Sequence, residues 1–133
     1  MRTVHEGDTF LMQRDDLLQV IVLRRLAGRL EVESIADAFA ALSPGLTNIS
    51  RGDWGVLVDM RDAPMRNEPE FERAMGNEMA RLLAGFRRRA VLVKTAVGAL
   101  QLHRASRSIW GDDPDSQPEV FRDESEAMQH LHS

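Results

Sequence analysis

The chain has 133 residues, 43% of them hydrophobic and 29% charged, with a formal net charge of -4. That length suits one domain burying about two-thirds of its unfolded surface, and no apolar run approaches the roughly 20 residues a membrane-spanning helix requires. Zero cysteines remove disulfides and thiol chemistry, and acids stand near the N-terminus where a secretory leader needs an apolar core, which together predict a cytoplasmic protein.

Taken in chain order, Thr9-Phe-Leu-Met-Gln13 reads as a first strand, Asp15-Asp16 as a turn and Leu18-Gln-Val-Ile-Val-Leu-Arg24 as a second strand, a hairpin. Val32, Ile35, Ala36, Phe39 and Leu42 then fall three and four apart, one face of a helix that Pro44-Gly45 ends. A polar loop over residues 46–53 leads to Trp54-Gly-Val-Leu-Val-Asp59. Asn67, with Glu70 three residues on, predicts the capped start of the longest helix, and Pro69 suits its first turn. Phe71, Met75, Met79, Leu82 and Phe86 form its apolar stripe.

Ala90-Val-Leu-Val-Lys-Thr95 follows as a strand, and a helix is expected from about Val97 to Trp110. After an acidic, Pro-containing loop, Val120-Phe121 reads as a short last strand. Asp123 and Glu126 predict the capped start of a final helix carrying Ala127, Met128 and Leu131. The runs around Leu57 and Leu92 are apolar without alternation, so both of their faces must be covered. The prediction is an α/β fold: a mixed four- to five-stranded sheet with an N-terminal hairpin and flanking helices, in the order β-β-α-β-α-β-α-β-α.

Charge is unevenly spread. Residues 79 to 111 hold seven cations (Arg81, Arg87, Arg88, Arg89, Lys94, Arg104, Arg107) and no acid, leaving -11 elsewhere against +7 here. The cations could form a basic face; the plainer reading has Arg87 to Arg89 complementing a helix C-terminus. A nucleic-acid role fails on the acidic remainder and the lack of interleaved aromatics.

No catalytic or metal motif stands out. His130 and His132 are two apart and would diverge on a helix, and no Cys completes a zinc set. Ligands of open α/β sheets gather beyond the carboxyl ends of strands, which makes Arg61, Lys94, Thr95 and Gly98 a candidate anion site. The competing reading is that Asp59 and Arg61 satisfy local turns and pair with each other. Met60, Met75 and Met79 could line an apolar groove; core packing explains them as well.

Three stretches resemble the STAS-like (SpoIIAA-like) domains, named for sulphate transporters and anti-sigma factor antagonists. They are the hairpin with the helix around Val32 to Leu42, the segment Val56-Leu-Val-Asp-Met-Arg-Asp-Ala-Pro64, and the tail. In the tail the resemblance lies in Ala90-Val-Leu-Val-Lys-Thr-Ala-Val97 and Val120-Phe-Arg-Asp-Glu-Ser-Glu-Ala127. The resemblance implies a partner- or small-ligand-binding regulatory module rather than an enzyme, without cofactor, and often a homodimer; the alternatives are a small apolar-ligand (lipid-like) carrier and an anion-responsive sensor. The antagonists' phosphorylatable Ser has no counterpart in Asp59-Met-Arg-Asp-Ala-Pro-Met-Arg-Asn67, which lacks any hydroxyl residue. Asp15-Asp16, Asp59 and Thr95 also resemble the magnesium- and phosphate-binding set of receiver domains. However, the segment after Asp16 favours a strand where a receiver needs a helix, and no Lys follows Lys94.

Overall fold

In a computed structural model that describes residues 1–64, 66, 68–100 and 118–132, six strands form one mixed sheet whose spatial order is the chain order. They are β1 (Arg2–Glu6), β2 (Phe10–Asp15), β3 (Val20–Arg25), β4 (Gly55–Asp59), β5 (Arg88–Leu92) and β6 (Glu119–Phe121). The pairs β1–β2 and β2–β3 are antiparallel, while β3, β4, β5 and β6 run parallel. Parallel neighbours need crossovers. Between β3 and β4 the crossover holds α1 (Ile35–Ala40) and three 3-10 turns; between β4 and β5 it is α2 (Pro69–Leu83). Helical residues 96–100 begin the next one, and α3 (Glu124–His132) follows β6.

The expected α/β class holds, but the strand number is corrected from four or five to six by β1. Arg-Thr-Val-His-Glu has one aliphatic residue, Val4, so its sequence carries no strand signal. It sits at the sheet edge, largely exposed, with a register shift between Thr3 and His5. Edge strands need bury little and are often charged.

Alternating side chains of the central strands enter two different cores. Ile21, Leu23, Val56, Val58, Val91 and Val93 pack with Ile35, Phe39, Phe71, Met75 and Leu82 of α1 and α2. Val20, Val22, Leu57, Ala90 and Leu92 face the other way, onto Ala127 and Leu131 of α3. Leu57 and Leu92 are both fully buried on adjoining parallel strands, in which Leu57 is opposite Ala90 and Asp59 opposite Leu92. The missing alternation in their sequences follows directly from covering both faces.

Local chemistry sets the ends of the elements. Asp15 Oδ1 accepts the backbone N–H groups of Leu17 and Leu18 at 3.0 and 2.9 Å and shapes the hairpin turn, which Gln19 completes at positive φ. Asp123 Oδ1 accepts the Glu126 N–H at 3.1 Å, the expected cap of α3. For α2, Pro69 occupies the first turn, while Asn67 lies outside the described residues. Its C-terminal carbonyls are served by Arg51, which donates to those of Arg81, Leu82 and Ala84. Arg87 serves α3 instead, donating to the Leu131 carbonyl at 2.8 Å. Arg88 begins β5 and Lys94 lies past its end, so these two cations stand at opposite ends of the strand. Arg104, Arg107, His103 and Trp110 lie outside the described residues.

Candidate functional site

Parallel register brings Arg24 of β3 directly opposite Asp59 of β4, at the carboxyl ends of both strands. Asp59 is one of two buried charged residues of the described chain, 6% exposed. Four donors fill its carboxylate. Oδ1 accepts the Arg61 backbone N–H and Nε, each at 3.0 Å. Oδ2 accepts Arg61 Nη2 at 2.9 Å and Arg24 Nη1 at 2.6 Å. The Arg61 contact is bidentate, the planar fork-on-fork geometry for which a guanidinium is suited.

A second carboxylate closes the cluster from outside. Glu124 is the first residue of α3, and its Oε1 accepts Arg24 Nη2 at 3.0 Å and lies 3.9 Å from Arg61 Nη2. Two guanidiniums thus hold two carboxylates: Asp59 with its side chain 8% exposed, and Glu124 at 42%. Burial alone would raise the Asp59 carboxyl, but the hydrogen bonds from Arg61 and Arg24 outweigh it and hold the group below the ordinary carboxylate range. Arg61 is correspondingly pushed upward by its hydrogen bond to Asp59.

Beside this cluster lies a shallow, open groove of about 510 Å³ between α3 and β3. Its lining is apolar at Val22, Met1 and Met128 and polar at Arg24, Glu124, Ser125, Gln129 and His132. On the opposite face of the sheet, Arg25, 2% exposed, donates through Nη1 to the carbonyls of Thr9, Leu26 and Gly28. Arg66 donates to the Leu30 carbonyl and lies 3.9 Å over the Phe71 ring. These two arginines brace the loop after β3.

The predicted anion set is divided among local tasks. Arg61 commits its fork to Asp59. Thr95 Oγ1 accepts the Gly98 N–H at 3.0 Å, a cap on helical residues 96–100. Lys94 is exposed two residues past Leu92, on the strand end adjoining that of Arg61. Met75 is a buried member of the α1–α2 core, and Met60 and Met79 pack half-buried against the same core. The groove lies on the other side of the sheet.

The acidic pair is elsewhere too. Asp15 ends β2 and Asp16 opens the turn before β3, with Asp16 ion-paired to Arg2 and Arg14. Asp59 is at the far end of the neighbouring parallel strand, about 13 Å or more along it. Among the described residues no group of three or more His, Asp or Glu is placed to hold a metal ion.

The Asp59–Arg61 pairing is readable from sequence because the partners are two residues apart. Arg24 and Glu124 are not readable in the same way, being 35 and 100 residues from their partners in the chain. The sequence does carry one signal: Arg24 ends the second apolar run as Asp59 ends the third, so parallel pairing in that register joins them. No protein-family model, curated protein or solved structure matches the chain.

Proposed function

We propose that this protein is a non-enzymatic regulatory or partner-binding module of the STAS-like type, with the Arg24–Asp59–Arg61–Glu124 cluster and adjoining groove as its contact site. The observation that carries the proposal is the saturation of Asp59. A carboxylate that accepts four hydrogen bonds from two arginines and has a depressed pKa is a poor base and a poor phosphoacceptor. What it does well is hold two guanidiniums rigidly at the rim of an open groove. Pockets for small molecules typically enclose most of the ligand; an open trough with mixed walls suits a partner surface equally.

Two experiments test the reading. Incubation with acetyl phosphate and magnesium leaves the intact mass unchanged under this proposal, whereas phosphate on Asp59 would overturn it. Native mass spectrometry of gently purified protein reports dimers and retained partners. The proposal expects specific association that Arg24→Glu abolishes while the far-UV circular dichroism stays the same. Association that survives this substitution would move the contact site elsewhere.

A further inference from the structure

Both arginines lie near one outer oxygen. Arg24 Nη2 donates to Glu124 Oε1 at 3.0 Å, Arg61 Nη2, which donates to Asp59, lies 3.9 Å from it, and this carboxylate is far more exposed than that of Asp59. Asp59 alone balances one of the two positive charges. Glu124 balances the second from the first position of a helix that also forms one wall of the groove. We infer that Glu124 is an internal stand-in for a ligand, and that the site accepts a monocarboxylate with an apolar body. The ligand's carboxylate would replace that of Glu124 between the arginines, and its hydrocarbon would lie along Val22, Met1 and Met128.

The charge count sets the class. The group to be replaced is a single carboxylate, and it leaves one donor, Arg24 Nη2, to be matched; Asp62 acts on Arg61 only as a further charge and makes no hydrogen bond to either arginine among those the structure gives them. A cationic ligand would meet Arg24 and Arg61, each already holding positive charge at the rim. A neutral apolar ligand would leave the polar walls unmatched. The groove of about 510 Å³ is open, so the ligand's hydrocarbon would lie along it partly exposed rather than enclosed. Glu124 also explains how the unliganded protein tolerates the pair of arginines: the tethered carboxylate closes the site until a competitor displaces it. Such self-occupancy lowers apparent affinity by the fraction of time the site is open.

This inference rests on the proposed contact site and adds the chemistry of its occupant. Its test is a gain of function, which misfolding cannot mimic. Decanoate binding is measured by isothermal titration on the full chain, with acetate and decanol as headgroup-only and tail-only probes. Glu124→Gln removes the competing charge and keeps the side chain's size, and affinity for decanoate is expected to rise about tenfold or more, equivalent to about 1.4 kcal/mol.

Arg24→Met in the Glu124→Gln background is expected to return binding to the parental level or below. Ser125→Trp, which fills the groove from its exposed wall, is expected to block decanoate too. Acetate and decanol should bind weakly or not at all. Equal decanoate affinity in the parent and Glu124→Gln would overturn the inference, as would decanol binding as tightly as decanoate. If decanoate fails in this way while a protein partner is still lost with Arg24→Glu, the occupant is wrong and the contact site stands.

Discussion

Docking of α3 onto β4 can be tested through one tight contact. A Cβ built on Gly55 would lie 3.2 Å from Leu131 Cδ2 and 3.3 Å from its Cβ, closer than carbon atoms ordinarily pack. Leu131 is fully buried. Leu131→Ala should therefore cost about 3 kcal/mol, within the usual range for a large-to-small change in a core. Gly55→Ala alone forces the crowded leucine to shift, at about 1 to 2 kcal/mol, against an opposing gain of about 0.5 to 1 kcal/mol from a stiffer unfolded chain. In the Leu131→Ala background the Cδ2 contact at 3.2 Å is gone while the Cβ contact at 3.3 Å remains, and the new methyl partly fills the space left by the lost atoms. Gly55→Ala should then cost less than in the parent. The double-mutant cycle, measured by urea unfolding followed by circular dichroism, should show a coupling of about 0.5 to 1.5 kcal/mol. Additive effects within about 0.3 kcal/mol, or a Leu131→Ala cost below about 1 kcal/mol, would refute the packing of α3 on this face.

Other perturbations address the cluster, the loop after β3 and the end of α3. Asp59→Asn should cost about 2 kcal/mol at neutral pH, less than for a fully buried pair because Arg24 and Arg61 are 28% and 38% exposed. The Asp59 carboxyl is depressed in the fold, so its contribution is present above the unfolded value of about 3.9 and is lost as pH falls through the folded value; the Asn variant should show a shallower acid limb in unfolding titrations. Gly28→Ala places a methyl 2.2 Å from the Asp8 carbonyl oxygen, a backbone clash. It should destabilise by about 1 to 3 kcal/mol in urea, while Gly52→Ala, with nothing within 4 Å, should be near neutral. His130 lies beside Phe121, and its pKa is lowered by burial and then by Arg88, against an opposing pull from Glu119. The fold therefore prefers the neutral imidazole and loses stability as pH drops below about 6.5; thermal melts of His130→Gln should lose part of that dependence.

The legible parts of this fold are those whose side chains face one consistent environment. Val20 to Leu23, Val56 to Val58 and Ala90 to Val93 read as central strands because both of their faces are apolar. Asp123 and Glu126 mark the start of α3 because capping is local. β1 is invisible in the sequence because an edge strand with one aliphatic residue leaves no pattern. The candidate site is half legible for a related reason. Asp59 and Arg61 interact within one turn, but Arg24 enters only through strand register and Glu124 only through the path of α3 across the sheet. Met75 and Met79 on α2, and Met60 just after β4, offer no way to choose between groove and core, since flexible thioethers serve both.

Central to the proposed role is Asp59, held as a carboxylate by Arg24 and Arg61 and thereby withheld from chemistry. Carbon-13 NMR titration of its side-chain carboxyl measures that state directly. The expected midpoint is below the ordinary aspartate value of about 3.9, rising when Arg61 is replaced by Met. A midpoint at or above the ordinary value, unmoved by that replacement, would contradict it.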